Sequence, residues 1–378
     1  MNALTNQKAP LLPVLKRRMR ALTYLGGATT VALLFATIAQ WQRGTTSEPA
    51  FEPVRMFPAL ESKVDDVASI QIETKTTSFN VVRRADGQWI LPDKSSYGAD
   101  YNMVRKTILG LASLDLIEPR TARADWLEKL GLTLPKSGGS GTIVTIKDKK
   151  GELLASLISG VGVEGASTSG KVALYVRRPN EPQSYVARGS FVADVDQAQW
   201  LDKSFIDFPR DRIKTVSVKP FQGPSYTVTR AAPSVENFSL VERLPPGRSL
   251  RSPGEANGVG NGLIAMSFTD VVLQSKIDFS RSARATFQTF DGLALNIMVA
   301  DKDNDFWIAF DAIEDTAAAV AAAGSSTLKP DIAKEVKELN AMAKGWAYKI
   351  PRFKGTLITS PLDALLNVVG GKPIPPGP

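Results

Sequence analysis

One pattern of alternating residues occurs twice along the chain, and it constrains the fold more than any other feature of the sequence. Apolar and polar residues alternate over Val67–Ile72 and again over Ile213–Val218, which is typical of strands with one buried face. The two segments begin 146 residues apart. Each of them is followed by a second predicted strand and by a short, apolar third strand. Corresponding strands of the two halves lie 146 to 149 residues apart.

The later predicted elements also keep the same order in both halves. Each half continues with a helix, placed behind Asp100 in the first half and over Leu263–Val272 in the second, and then with three strands. Those strands are Thr142–Ile146, Leu153–Ile158 and Ala173–Val176 in the first half, and Thr286–Phe290, Leu293–Met298 and Phe306–Ala309 in the second. We therefore predict an α+β fold with mainly antiparallel sheets, in two similar lobes at 63–209 and 210–362. The alternative is a chance resemblance between two sets of alternating strands.

A run of 20 residues without charge, Ala21–Gln40, precedes the first lobe. At the rise of an α-helix, such a run spans roughly 30 Å, which is the thickness of a bilayer core. We therefore predict one transmembrane helix at 21–41, between an N-terminal tail at 1–20 and a tether at 42–62 that is rich in Ser, Thr, Glu and Pro. A cleaved signal peptide is the alternative, although the run is longer than the usual apolar region of such peptides.

The charges around this run predict its orientation. Four basic residues precede it, and only Arg43 follows it closely; the four are Lys16, Arg17, Arg18 and Arg20. The positive-inside rule then places the N-terminus in the cytoplasm and everything after Trp41 outside it. We expect a single-pass protein of a bacterial inner membrane, with most of the chain in the periplasm.

The net charge of +8 is a consequence of this topology. Residues 1–43 contain six basic residues and no acidic ones, so 40 basic and 38 acidic residues remain in 44–378. The exported part is therefore nearly neutral, and it shows no basic stripe of the kind that binds nucleic acid.

The chain of 378 residues contains no histidine and no cysteine. This composition excludes a Ser-His-Asp triad, a cysteine nucleophile, imidazole or thiolate zinc ligands, and disulfide bonds. Carboxylate, lysine, tyrosine or arginine chemistry remains, and no pair of carboxylates at a defined spacing supports it. We expect no catalytic residue, no metal and no cofactor.

Two short motifs resemble nucleotide or acyl-transfer sites. Gly165–Lys171 fits GxxxxGK, but Val172 replaces the required Ser or Thr and begins a predicted strand, so we predict a turn. Ser326–Lys329 has the Ser-x-x-Lys spacing of penicillin-binding proteins. Because Pro330 follows at once, we interpret that segment as the entrance to a helix.

Asp301, Asp303 and Asp305 repeat the opening of an EF-hand loop. Phe306 and Ala312 occupy the positions where the turn glycine and the bidentate glutamate are needed. We therefore predict a solvated hairpin tip at this place.

Large aromatic residues are usually core or interface anchors. Among the tryptophans, Trp126 lies in an amphipathic segment, Ala124–Leu132, and we expect it at a contact between lobes or with a partner. After the second lobe, residues 363–378 form a tail rich in Pro and Gly.

Several short elements together resemble a known family. They include Trp89-x-Leu91-Pro92, the helix after Asp100, Leu130-Gly131-Leu132, Ile158-Ser159-Gly160, Tyr175-Val176-Arg177 and the repeated Ile-x-x-Val-x-Val strand. The chain is similar in these to the bacterial domain-of-unknown-function family numbered 4340. The resemblance implies a single-pass protein encoded beside the ATPase, the permease and a gliding-motility-type auxiliary protein of an ABC transporter. It implies no catalytic residues.

Two functions follow as expectations. The first is a membrane-tethered, non-enzymatic extracytoplasmic accessory subunit of an ABC-type transporter complex. The second is a periplasmic ligand-binding or envelope-scaffold module that works without a transporter, with a glycan, lipid or peptide enclosed between its lobes. An enzyme that uses carboxylates alone is a third and lesser alternative.

Overall fold

A computed structural model describes residues 23–38, 51–164, 170–191, 193–244, 246–315 and 331–368. The chain divides into two compact units, 1–54 and 55–378. We call the second unit the body. The predicted topology determinants, Lys16, Arg17, Arg18 and Arg20, lie outside the described residues, as does Ser326–Lys329.

The first unit contains one described helix, α1, which covers residues 23–38 with exposed side chains. Hydroxyl groups of this helix bond back to its own backbone; Thr37 Oγ1, for example, donates to the carbonyl of Leu33 over 3.0 Å. Within the part of the chain that the structure describes, no helix is both long enough and apolar enough to cross a membrane.

The first half of the body forms an antiparallel sheet with the strand order β6-β10-β9-β8-β7-β2-β3-β4-β5. A short strand, β1 (Val54–Arg55), contains the last residue of the first unit and the first residue of the body. The strands of the sheet are β2 (Val67–Glu73), β3 (Ser78–Arg83), β4 (Trp89–Leu91), β5 (Tyr97–Gly98), β6 (Asp115–Pro119), β7 (Thr142–Asp148), β8 (Leu153–Gly162), β9 (Val172–Arg177) and β10 (Ser184–Gly189).

The second half forms another antiparallel sheet, with the order β13-β12-β11-β16-β17-β18-β19-β15. Its strands are β11 (Ile213–Lys219), β12 (Tyr226–Thr229), β13 (Ser239–Leu240), β15 (Asp270–Leu273), β16 (Ala283–Thr289), β17 (Leu293–Lys302), β18 (Asp305–Glu314) and β19 (Trp346–Ile350). A separate pair consists of β14 (Arg248–Leu250) and β20 (Leu366–Val368). Regular structure therefore continues into the segment 363–378.

The two sheets have corresponding strand orders. The first contains β4-β3-β2-β7-β8-β9-β10-β6, and the second is β13-β12-β11-β16-β17-β18-β19-β15. The pairing of β2 with β7 shifts register between Val67 and Ser69, and that of β11 with β16 shifts between Ile213 and Thr215. Both bulges therefore lie at the start of the alternating segment in each half.

The described residues of the body contain few α-helices, and these are short. They are α2 (Tyr101–Ala112), α3 (Ala124–Lys129), α4 (Asn257–Gly260), α5 (Ile332–Ala343) and α6 (Arg352–Ile358). The predicted cap of α2 is confirmed, since the Asp100 carboxylate accepts from the backbone N–H of Asn102 over 2.7 Å. The α+β class with mainly antiparallel sheets is confirmed as well.

The helix predicted over Leu263–Val272 is wrong. The chain there leaves the four-residue helix α4, turns through Ala265 with a φ of +47°, and enters the strand β15. Val271 and Val272 are β-branched and favour a strand. Pairing with β19 lets Val271 become fully buried, which a helix at this edge would not achieve.

One hydrophobic core runs through both sheets. Their contact is centred on Tyr97 of β5, whose ring meets the rings of Trp346, Phe268 and Tyr348 at centroid distances of 5.0, 6.0 and 6.1 Å. Met56 and Leu60, in the segment predicted to be a tether, are also buried in this core. The end of that segment is thus part of the packed body.

Candidate binding cleft on the first sheet

Four polar side chains form a row across the outer face of the first sheet. In the strand register, Gln71 of β2 stands between Asn80 of β3 and Thr145 of β7, and Thr145 stands opposite Ser156 of β8. Side chains alternate along a strand, so these four point away from the core that holds Ile72 and its neighbours. All four are half-buried. We call them the first polar row.

A cleft of about 540 Å³ lies over this row, with Gln71, Thr145 and Ser156 in its lining. This volume falls within the range of small-molecule binding sites. Apolar side chains complete part of the lining, namely Phe57, Ile143, Leu153 and Leu154. The cleft therefore offers hydrogen-bonding groups beside apolar surface.

Charged side chains surround the polar floor of the cleft. Lys136 Nζ lies 3.8 Å from Glu73 Oε2, and Arg178 Nη1 lies 3.1 Å from Glu181 Oε2. The fifth charged group, Lys147, has no acidic side chain within 4.0 Å among the residues that the structure describes. Among the described residues, one positive charge in the cleft therefore has no counter-ion.

The segment after β6 folds over the outer face and forms one wall. Leu127 of α3 and Leu132 pack on Ile158 of β8 in a small cluster separate from the main core. Gly160 allows this approach, because a Cβ atom there would collide with the carbonyl oxygen of Leu130. A close packing of backbone on backbone thus holds the wall in place.

The turn at 178–181 forms the other wall of the cleft. Arg177 at the end of β9 connects this turn to the wall formed by the segment after β6. Its Nη2 donates to the carbonyl of Leu132 over 2.9 Å, and its Nη1 donates to the carbonyl of Glu181 over 3.0 Å. The side chain is buried, and burial lowers the pKa of this guanidinium. Arg177 is thus a positioning residue for both walls.

A corresponding row on the second sheet satisfies its own hydrogen bonds. Ser217 Oγ lies 3.3 Å from Thr227 Oγ1, Thr286 Oγ1 donates to Asn296 Oδ1 over 3.0 Å, and Asn296 Nδ2 donates to Asp311 Oδ2 over 2.9 Å. We call these five the second polar row.

Within the described residues, the first polar row has one side-chain pair, Thr145 with Ser156 at 3.0 Å. The side-chain amides of Gln71 and Asn80 have no protein partner there. The amide donors and acceptors of Gln71 and Asn80 therefore remain available, whereas the side chains of the second row bond to one another.

Trp126 does not line the cleft. It lies on α3 with 46% of its surface exposed, and Lys129 Nζ is 4.6 Å from its ring centroid. The expected contact of Trp126 with the other lobe or with a partner stays a prediction.

Two of the short sequence motifs lie at least partly within the described residues, and there they belong to strands and turns. Val172 begins the strand β9, as predicted, although residues 165–169 lie outside the described chain. Asp303 and the next residue have positive φ angles of 55° and 66° at the tip of the β17–β18 hairpin, and the Asp305 carboxylate lies 2.6 Å from Lys349 Nζ. The described residues contain no group of three His, Cys, Asp or Glu side chains placed to share a metal ion.

The sequence pattern did not predict the first polar row. Gln71 and Thr145 are polar positions of alternating strands, and such positions predict a solvated face. The signal that could have found the row is the pairing of β2 with β7, since it brings polar residues 74 positions apart side by side. That pairing is long-range and follows from the fold.

The model of one family matches residues 60–282, which is more than half of the chain. Its description is Domain of unknown function (DUF4340). The chain belongs to this DUF4340 family. The matched segment contains the whole first sheet after β1 and ends directly before β16, so every residue of the cleft except Phe57 lies in the DUF4340 match. Neither a curated protein nor a solved structure matches the chain.

Proposed function

We propose that this DUF4340 chain is a membrane-tethered, non-enzymatic extracytoplasmic accessory subunit of an ABC-type transporter complex. The observation that carries the proposal is the uncharged run Ala21–Gln40, with four basic residues close before it, only Arg43 close after it, and a folded body later in the chain. A single helix cannot form a transport path, so a tethered body of this kind acts through a partner in the same membrane.

The proposed anchor is residues 21–41, with the N-terminus in the cytoplasm and the body in the periplasm of a bacterial inner membrane. The helical conformation of 23–38 and its exposed apolar side chains support this part of the proposal. Lys16, Arg17, Arg18 and Arg20 would then set the orientation. The nearly equal numbers of acidic and basic residues after residue 43 are compatible with an exported body.

The body is, in this proposal, an internal duplication of one α+β lobe. Its support is the shared strand order and the bulge at the start of β2 and of β11. The two polar rows lie on strands that occupy corresponding places in the two sheets. Gln71 on β2 corresponds to Ser217 on β11. The side chains of the second row bond to one another, whereas the amides of Gln71 and Asn80 have no described partner, so the two lobes would do different work.

The proposed partners are the permease and the ATPase of the transporter, together with a gliding-type auxiliary protein. Their support is the resemblance of the chain to the DUF4340 family, which implies a protein encoded beside such components. The absence of histidine and cysteine from the sequence favours a binding role over catalysis. Trp126 is the proposed partner contact, because it is a large aromatic side chain that is 46% exposed on a short helix.

Affinity purification of the native complex tests this function. The chain carries a C-terminal tag, the native membrane is solubilised in several mild detergents, and the co-purifying proteins are identified by mass spectrometry. The proposal predicts a permease and its ATPase in a fixed proportion to the chain. Recovery of the chain alone in every detergent would overturn it.

A pair of variants tests the contact. Trp126→Ala is expected to lower the recovery of the permease, because it removes an exposed aromatic anchor. Tyr101→Ala is the matched control, since Tyr101 is 64% exposed on another helix. Equal losses in both variants, or in neither, would remove Trp126 from the contact.

The cleft on the first sheet favours a second candidate, a tethered ligand-binding module that works without a transporter. The Gln71 amide and Lys147, which have no side-chain partner among the described residues, suit a small polar ligand. A ligand retained through purification in the absence of any permease would favour this candidate over the first.

A further inference from the structure

We infer that the cleft over the first polar row binds a saccharide that carries a carboxylate group. This site lies on the outer face of one sheet and not between the two lobes. The inference goes beyond the accessory role, because the cleft is complete within the first half of the body and requires no transporter.

The polar floor of the cleft favours a ligand with many hydroxyl groups. Gln71, Thr145 and Ser156 come from three adjacent strands, which are spaced about 4.8 Å apart. Amide and hydroxyl side chains both donate and accept hydrogen bonds, as do the hydroxyl groups of a sugar. A row of such groups at strand spacing can bind successive hydroxyls of a saccharide.

The apolar side chains beside the floor fit the same ligand. Phe57, Leu153 and Leu154 contribute carbon surface to the lining, next to the polar row. A sugar ring has hydroxyl groups at its edge and C–H groups on its faces, so it can use both kinds of surface at once. A ligand without an apolar face would leave this part of the cleft uncovered.

The charges favour one acidic group on the ligand. Arg178 and Glu181 pair with each other, and Glu73 has Lys136 at 3.8 Å. Lys147 is half-buried in the lining and is the charge without a partner among the described residues. A carboxylate on the saccharide would form a charge-assisted hydrogen bond with its ammonium group.

The geometry disfavours an extended peptide as the occupant. Peptides that bind sheets usually add a strand to an exposed edge, where the backbone groups are unpaired. Here β2, β7 and β8 all have neighbours on both sides, so the floor of the cleft offers no free strand edge to a peptide.

The probes of this inference are trigalacturonate and its methyl ester, which share one framework and differ in charge. Binding to the full-length chain in detergent is measured by isothermal titration calorimetry. We expect the acid to bind in a saturable manner and about tenfold more tightly than the ester, which is the effect of one charge-assisted hydrogen bond.

Three variants locate the site. Lys147→Met is expected to make the affinities for the acid and the ester equal. Lys214→Met, on the second sheet, is the matched control and is expected to leave the ratio of the two affinities unchanged. Gln71→Ala is expected to weaken the binding of both probes. Thermal unfolding midpoints close to that of the parent chain confirm that each variant is folded.

Three results would overturn the inference. The first is no binding of either probe at millimolar concentration, and the second is an acid-to-ester ratio that Lys147→Met leaves unchanged. The third concerns trialanine, a peptide probe whose side chains are uncharged. If trialanine binds at least as tightly as trigalacturonate, and if Gln71→Ala weakens that binding, the occupant is a peptide. None of these results depends on whether a permease co-purifies, so failure here is distinguishable from failure of the accessory role.

Discussion

Lys94 Nζ lies 2.6 Å from Asp270 Oδ1, and this ion pair joins the first sheet to the second. Lys94 belongs to the turn after β4, and Asp270 begins the edge strand β15. The two side chains are only 20% and 32% exposed, and the aromatic contacts of Tyr97 lie in the same interface. The two halves of the body are therefore joined by charge as well as by a shared core.

We expect Lys94 and Asp270 to be energetically coupled. Lys94→Ala, Asp270→Ala and the double variant form a cycle, and a partly shielded ion pair should give a coupling free energy of about 1 kcal/mol. The measurement is urea unfolding of each variant. The exposed pair of Arg84 and Asp86 is the control, with a coupling near zero. Additive single effects at Lys94 and Asp270 would contradict the role of this pair.

Tyr97 should make the stability of the body depend on pH above 10. Burial is the largest cause that raises the pKa of its phenol from 10.0 to about 12; a hydrogen bond with Tyr348 lowers this pKa, and the charge of Asp202 contributes to the rise. The folded chain then keeps a proton that the unfolded chain loses, so the stabilisation is complete below pH 10 and is lost as the pH rises towards 12.

Tyr97→Phe isolates this effect. The variant has no phenol to titrate, so the free energy of unfolding of the parent should fall relative to the variant by about 1.4 kcal/mol between pH 9 and pH 11. Denaturant unfolding at pH 8, 9, 10 and 11 provides the comparison. A constant difference across this range would show that Tyr97 is not buried as described.

Arg177 should be necessary for the shape of the cleft. Arg177→Met removes the donors to the carbonyls of Leu132 and Glu181 and leaves buried acceptors unpaired. We expect a loss of about 2–4 kcal/mol in the free energy of unfolding. Arg84→Met, at an exposed arginine, should cost less than about 0.5 kcal/mol. Equal costs for the two variants would contradict the positioning role of Arg177.

Two glycines of strand β8 give a sharp test of the cleft wall. Gly160→Ala would place a methyl group against the carbonyl of Leu130 and the side chain of Leu132, and should cost about 1–3 kcal/mol. Gly162→Ala is the matched control on the same strand, because its nearest contact would be the carbonyl of Ala173 at 3.8 Å. The unfolding free energies of both variants are measured by urea titration, and similar values would show that the wall does not pack closely on β8.

Local patterns in the sequence predicted much of the fold. The alternation at Val67–Ile72 and Ile213–Val218 corresponds to β2 and β11, and Asp100 caps α2 as expected. These features depend on neighbours within one strand or one helical turn, which the sequence contains directly.

Features that depend on distant parts of the chain could not be predicted in this way. Val271 belongs to a strand because β19, more than 70 residues later, provides its hydrogen-bonding partner. Met56 is buried by the core of the first sheet although prolines surround it in the sequence. The cleft is a third example, since its floor and both walls meet only after β2, β7 and β8 pair.

Crosslinking mass spectrometry on intact native membranes tests the accessory role most directly, because it requires no detergent. A lysine-reactive crosslinker is used, and a link between Lys136 and Lys147, which line the same cleft, is the internal control. An accessory subunit should give crosslinks from the body, including Lys129 beside Trp126, to an ABC permease or its auxiliary protein. If crosslinks are found only within this chain, while the same experiment detects crosslinks within known membrane complexes, the accessory role is contradicted.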